Sequence, residues 1–148
     1  MPRLFVLLCA TAGIGLAACG SDSSDEELSV SEYRDKANAL CRQSEREADA
    51  AASDREPGVV LDKLTATARD SQARFEALDP PAELQKRHDA FLRSGERSVN
   101  VLSDARDQVE KGARGEAAFE KLQGRFQAVL EEGNDAARAL GLKDCVAE

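Results

Sequence analysis

The chain has 148 residues, which is room for one domain, and its 28 acidic and 20 basic residues give a net charge of −8. Nucleic-acid binding needs a basic surface, so this balance excludes a nucleic-acid partner. One Tyr, five Phe and no Trp predict a thin core that is rich in Ala.

The N-terminus has the parts of an export signal. Met1-Pro2-Arg3 is basic, and the apolar run over 4–16 is too short to span a bilayer as a helix. Leu16-Ala17-Ala18-Cys19 then closes the run. This ending resembles the lipobox of bacterial lipoproteins, whose cysteine is lipidated and becomes the first residue of the mature protein.

The resemblance implies a cleaved lipoprotein signal peptide over 1–18 and acyl chains, such as palmitate, carried by Cys19. Several chains make a stable anchor where a single one does not. We therefore expect an exported protein, held by its lipid at the outer face of the cytoplasmic membrane. The alternatives are a conventional secretory signal cleaved near Ala18, and an uncleaved N-terminal helix.

A short acidic tract follows the cysteine. Gly20–Leu28 contains four acidic residues and no basic one, and such a stretch cannot bury apolar surface. We expect 19–28 to be the lipidated cysteine and a disordered tether, and 29–148 to be the folded domain.

The first predicted helix starts at Ser29. Ser29 and Glu32 fit a capping box, and Leu28 and Tyr33 fit a hydrophobic staple. Residues 54–58 interrupt the helix. Its apolar positions recur at steps of three and four, at Tyr33, Ala37, Leu40, Ser44, Ala48 and Ala51.

Two further helices follow. The second begins near Pro57, and Asp79-Pro80-Pro81 ends it, because proline is excluded from helix interiors. Proline suits a first turn, so Asp79 is predicted to cap a third helix that starts at once and runs to about Lys111. The apolar positions are Leu61, Leu64, Ala68, Ser71, Phe75 and Leu78, then Leu84, His88, Phe91, Gly95, Val99, Leu102, Ala105 and Val109.

A turn over 112–115 precedes the fourth helix. Gly141 suits a left-handed C-terminal position, and Leu142 suits the hydrophobic contact of a Schellman motif. No run alternates as a strand would. The apolar positions of the fourth helix are Phe119, Leu122, Phe126, Val129, Gly133, Ala136 and Leu140. The predicted fold is all-α, an antiparallel up-down-up-down four-helix bundle with short connections.

Two cysteines remain in the domain, Cys41 and Cys145. In an oxidising compartment such a pair indicates a disulfide. The alternatives are free thiols or half of a metal site. A zinc site needs four ligands, however, and the two cysteines and the single histidine are not closely spaced in the sequence. Because Cys41 lies some three turns into the first helix, the tail after Gly141 must fold back along it, or the helices must be offset.

The domain also resembles small exported helical proteins of actinobacteria, which are mostly uncharacterised. The resemblance rests on three short motifs. It supports the disulfide and implies no activity. The motifs are Tyr33 with Ala37-Asn38-Ala39-Leu40-Cys41, Leu78-Asp79-Pro80-Pro81-Ala82 and Leu140-Gly141-Leu142-Lys143-Asp144-Cys145.

Catalytic chemistry has little support. His88, the single histidine, lies on an apolar stripe and is interpreted as a buried helix residue bonded to a neighbour. The carboxylates form no calcium or di-iron pattern, so no metal, cofactor or enzymatic activity is predicted. Charges pair instead along helix surfaces, as Glu32–Lys36, Asp70–Arg74, Glu83–Arg87, Asp89–Arg93 and Asp107–Lys111.

Two functions fit this pattern. The first is a membrane-anchored, non-catalytic binding or structural module, with an envelope protein or polymer as its partner. The alternative is a bundle that holds an apolar or cationic small molecule in a groove at seam positions, which are Ser44, Ser71, Gly95 and Gly133. A pocket lined by the seams favours the second, and a solid core with an exposed apolar patch favours the first.

Overall fold

The computed structural model describes residues 28–112 and 116–147, with the backbone alone for 116–122. The helices are α1 (Val30–Ala52), α2 (Pro57–Glu76), α3 (Gln85–Glu110) and α4 (Glu116–Leu140), and a 3-10 turn follows at Lys143–Cys145. These described ranges contain no strand, which confirms the all-α class. The predicted signal peptide, Cys19 and most of the tether lie outside the described residues.

The start of α1 forms as predicted. The amide of Glu32 donates to Ser29 Oγ over 3.2 Å, and the amide of Ser29 donates to Glu32 Oε2 over 3.0 Å. These bonds complete the capping box. Hydrogen bonds from Ser29 favour the ionised carboxylate and lower the pKa of Glu32.

Helix packing follows the chain order. α1 packs along α2, α2 along α3, and α3 along α4, whereas α1 and α4 do not form a comparable interface. The 3-10 turn touches both of those helices and lies mainly on α1. Among the described residues the bundle is therefore open on its α1–α4 side, and the turn bridges part of the opening.

The main core lies where α1 and α3 begin and where α2 and α4 end. It is small because the chain has few large apolar residues. Ala37 and Ala137 fill it beside the larger side chains, which fits the prediction of a thin, Ala-rich core. The buried members are Tyr33, Ala37, Phe75, Leu84, Ala137, Leu140 and Leu142.

The predicted start of α3 at Asp79 is wrong. Pro80 and Pro81 are buried, and the amide of Leu84 donates to the carbonyl of Pro81 over 2.8 Å. This turn comes first, and α3 begins at Gln85 with Leu84 as an N-cap that makes no side-chain bond. Burial of Leu84 in the core thus sets the helix start in place of a capping carboxylate.

The end of α4 is the predicted Schellman motif. Gly141 has φ +77°, which only glycine adopts without strain. The amide of Leu142 donates to Ala137 O over 2.9 Å, and that of Gly141 donates to Arg138 O over 3.0 Å. Leu142 is fully buried, so the motif turns the chain back into the bundle.

The tail after Gly141 folds back along α1 and reaches Cys41. The structure joins Cys41 to Cys145, with Cα atoms 5.1 Å apart and a sequence separation of 104 positions. The amide of Asp144 donates to Asn38 Oδ1 over 3.0 Å, which holds the same segment on α1. This path supports the predicted disulfide and accounts for its position three turns into the helix.

Ion pairs form between helices as well as within them. Asp70 and Arg74 pair as predicted, but the other four predicted pairs form no ion pair among the described residues: Glu32–Lys36, Glu83–Arg87, Asp89–Arg93 and Asp107–Lys111. Arginines reach across to the neighbouring helix instead, and these contacts tie α1 to α2, α2 to α3, and α3 to α4. The interhelical pairs are Glu47–Arg74, Asp62–Arg106, Arg97–Glu132 and Asp104–Arg125, and Asp54, in the loop after α1, pairs with Lys63 of α2.

Candidate functional site

A groove of about 310 Å³ lies on the open side of the bundle. All four helices contribute to its walls, and none of the described side chains that line it is charged. Pockets of this size are typical of small-ligand sites. The lining residues are Ser44, Ala48, Leu64, Thr67, Ala68, Ser71, Gln72, Phe75, Phe91, Gly95, Ser98, Leu102, Phe126 and Leu130.

Aromatic rings form the floor and one lip of the groove. Phe75 and Phe91 meet edge to face with ring centroids 5.0 Å apart, a favourable geometry for two rings. On α4, Phe126 and Leu130 remain 38% and 37% exposed. Large apolar side chains thus stay in contact with water along the opening.

Three of the four hydroxyl groups in the wall hydrogen-bond within the protein. Ser44 Oγ and Ser71 Oγ lie 2.7 Å apart and bond to each other across α1 and α2. Ser98 Oγ donates to the carbonyl of Ser94 over 3.1 Å. Because most of the lining side chains are apolar and these three hydroxyls already have a partner, the wall presents a mainly apolar surface to an occupant.

Gly95 brings α3 close to α2 at the wall of the groove. A Cβ on Gly95 would collide with the side-chain amide oxygen of Gln72. Gln72 is held in place because its Nε2 donates to Leu92 O over 3.2 Å and to Glu76 Oε1 over 2.9 Å. Gly95 therefore allows α3 to approach the Gln72 side chain closely.

Three of the four predicted seam residues line the groove, namely Ser44, Ser71 and Gly95. The fourth, Gly133, does not, and a Cβ there would lie 3.8 Å from Ser94 Oγ in ordinary contact. Phe126, predicted on the apolar stripe of α4, proves to be part of an exposed lip.

The disulfide closes one end of the groove. An adjoining hollow of about 350 Å³ shares Ser44, Ser71 and Phe75 with it and is bounded by Cys41 and Cys145. Two carboxylates, Glu45 and Asp144, also face this hollow. The tail therefore acts as an end wall whose position depends on the bond to α1.

His88 lies away from the groove, at the start of α3. It is 2% exposed, and its Nδ1 lies 2.8 Å from the hydroxyl of Tyr33. Burial lowers the pKa of His88, while the charge of Asp89 acts in the opposite direction. Burial also raises the pKa of Tyr33 to about 12. The pair is a neutral hydrogen bond in the core, which matches the interpretation of His88 as a bonded helix residue.

No group of three or more His, Cys, Asp or Glu side chains in the described part of the chain is arranged to hold a metal ion. Carboxylates of α3 and α4 form ion pairs instead, Asp104 with Arg125 and Asp135 with Arg138. Among the described helices none is long and apolar enough to cross a membrane. Cys19, the predicted lipidation site, lies outside the described residues.

Comparison with known proteins adds no further assignment. No protein-family model matches the chain, and no curated protein or solved structure matches it.

Proposed function

We propose that the chain is an exported, lipid-anchored and non-catalytic binding module, and that its groove holds an apolar small molecule. One observation carries this proposal. An apolar groove opens to solvent at the point where α1 and α4 do not pack, and Phe126 and Leu130 remain more than a third exposed on its lip. Contact of large apolar side chains with water is unfavourable. A bound apolar ligand that covers these side chains therefore gains free energy from their burial.

The lining of the groove supports one of the two functions that the sequence allows. A pocket lined by Ser44, Ser71 and Gly95 favours a small-ligand binder, and these three residues line this one. An envelope protein or polymer is the second candidate partner. It is favoured by the exposure of Val109, which is 44% exposed and does not line the groove.

The anchor and the fold complete the proposal. The lipobox ending at Cys19 and the acidic tether support an attachment that presents the domain outside the membrane. We also propose the antiparallel up-down-up-down topology. In two antiparallel helices that pack together, the contacting residue on one helix moves backward along the chain as the residue on the other moves forward. The ion pairs Arg97–Glu132 and Asp104–Arg125 between α3 and α4 follow this order and support the topology.

A non-catalytic role is supported by the position of the histidine. His88, the strongest candidate for proton transfer, is buried and engaged by Tyr33. General acid–base catalysis needs a group within hydrogen-bond reach of the substrate. His88 does not line the groove, so an occupant of the groove does not meet it.

Binding can be tested with a neutral dye that fluoresces in apolar surroundings. The protein is the chain from residue 20 onward, which contains the whole described fold. Ala68 lines the groove and Ala66, two residues earlier on α2, is exposed. We expect Ala68→Phe to abolish the dye signal and Ala66→Phe to retain it, with circular dichroism showing that both variants are folded. Equal dye binding by the two variants would place the dye elsewhere and contradict the proposal.

A further inference from the structure

We infer that the groove selects amphiphiles with a cationic end, an apolar body carrying an amine or quaternary ammonium group. This inference rests on the proposed function, because it adds a charge preference to a groove that binds apolar ligands. Its basis is the distribution of charge around the opening, which is acidic on both lips.

The α1 lip carries carboxylates that the protein does not neutralise. Glu45 faces the hollow next to the disulfide, and Asp49 follows it one helical turn later on the same side of α1. Neither side chain forms an ion pair or hydrogen bond within the described residues. An ammonium group placed at this lip meets negative charge that has no competing partner.

The α4 lip carries a third carboxylate. Leu130 belongs to the groove wall, and the adjacent Glu131 faces the solvent hollow beside the tail. Glu132, its neighbour, is turned toward α3 and pairs there with Arg97. Glu131 has no such partner in the described part of the chain, so both sides of the opening present free carboxylates.

The nearest basic residues do not offset these charges. Among the described side chains no Lys or Arg lines the groove or the hollow at the disulfide, and Arg138 lines the hollow that Glu131 faces. Arg42 pairs with Asp144 and Arg138 with Asp135. The arginines at the edges are thus already occupied by other carboxylates, and Glu45 retains its charge toward the opening.

The same charges disfavour other occupants. The chain's own tether contains four acidic residues, and a second copy of the chain carries a net charge of −8. Fatty acids and anionic lipids would place a negative group against Glu45 and Glu131. A groove of about 310 Å³ has the size of a small-molecule site. The apolar body of a cationic amphiphile would contact the apolar floor, and its ammonium group would lie near the carboxylates at the opening.

The test compares three ligands with the same ten-carbon chain: decyltrimethylammonium, decyl glucoside and decanoate. Each is titrated calorimetrically, below its micellar concentration, into the chain from residue 20 onward at low salt. Exposed ion pairs contribute modestly, by about two- to fivefold in affinity for each pair. With carboxylates on both lips we expect the cationic ligand to bind about tenfold tighter than the neutral one, and decanoate to bind most weakly. Added salt should reduce the difference.

Variants separate local charge from total charge. Glu45→Gln should weaken decyltrimethylammonium about two- to fivefold and leave decyl glucoside unchanged. Glu96→Gln removes the same charge from an exposed position on α3 that does not line the groove, and should change neither. If all three ligands bind equally and Ala68→Phe still blocks them, the charge preference is wrong and the apolar groove stands. If Ala68→Phe has no effect on any ligand, the proposed function fails as well.

Discussion

The hydroxyl of Tyr33 lies 2.8 Å from Nδ1 of His88, and both side chains are essentially excluded from solvent. This bond joins the first turn of α1 to the first turn of α3, at the end of the bundle that contains the main core. Burial disfavours the charged form of both groups, lowering the pKa of His88 and raising the pKa of Tyr33, so the folded domain favours the neutral pair. The stability of the domain should therefore depend on pH on both sides of neutrality.

On the acid side, burial lowers the pKa of His88 below its usual 6.5. The unfolded chain therefore binds a proton more readily than the folded one. Stability is fully present above the unfolded pKa and is lost as pH falls from about 6.5 toward the folded pKa. Urea unfolding at pH 7.5 and 5.5 should show a loss in the native chain and a smaller one in His88→Gln. Carboxylates such as Glu32 have lowered pKa values and act below this window. An equal loss in both proteins would contradict the assignment.

The disulfide should account for much of the net stability. Closing a loop of about a hundred residues contributes about 4 to 5 kcal/mol in the chain-entropy model, comparable with the whole stability of a small domain. We expect reductant to lower the unfolding midpoint strongly and to add two protons to the intact mass. Cys41→Ser/Cys145→Ser should unfold like the reduced protein and should ignore reductant. If reductant leaves both the mass and the midpoint of the native chain unchanged, the pairing is wrong.

Two glycines near the C-terminus should respond in opposite directions to the same substitution. A Cβ on Gly124 in α4 would have nothing within 4 Å, so Gly124→Ala should stabilise the domain by about 1 kcal/mol through helix propensity. Gly141 is left-handed, and a Cβ there would lie 2.8 Å from Arg34 Nε, which donates to Leu140 O over 2.8 Å. Gly141→Ala should cost about 1 to 2 kcal/mol. Denaturant unfolding of the pair tests the signs, and a stabilising Gly141→Ala would be inconsistent with the Schellman end.

Local rules in the sequence were sufficient for the helix ends that depend on local bonds. Ser29 and Gly141 act as predicted because a capping box and a left-handed turn involve neighbours within a few residues. The prediction that Asp79 caps the third helix was wrong because the start of α3 depends on contacts that are distant in sequence. The burial of Leu84 against distant helices decides where α3 begins, and no short motif reports that.

The groove was one of two outcomes that the sequence allowed. Small residues such as Ser71 and Gly95 permit either tight packing or a gap, and the choice depends on how α1 and α4 are spaced. The tail fixes that spacing at one end, through Cys145 and the bond from Asp144 to Asn38. Asn38 gave no signal in the sequence because its partner lies 106 residues away.

The lipid anchor predicts a change of location. Cys19→Ala removes the thiol that would carry the lipid, and acyl chains supply the membrane affinity. We expect the native protein in the membrane fraction of its host and the variant in the soluble fraction. Cys9→Ala, within the apolar run, is the matched control and should remain with the membrane. A Cys19→Ala protein that stays membrane-bound would contradict the lipobox interpretation.

Nuclear magnetic resonance can locate a ligand in the opening between α1 and α4. Amide spectra of the chain from residue 20 onward would be recorded during a titration with decyltrimethylammonium. We expect chemical-shift changes to concentrate at groove residues of all four helices, such as Ser44, Ala68, Gly95 and Leu130, and to spare exposed positions such as Ala66. Shifts confined to the outer faces, or no shifts below the micellar concentration, would contradict a ligand site in this opening.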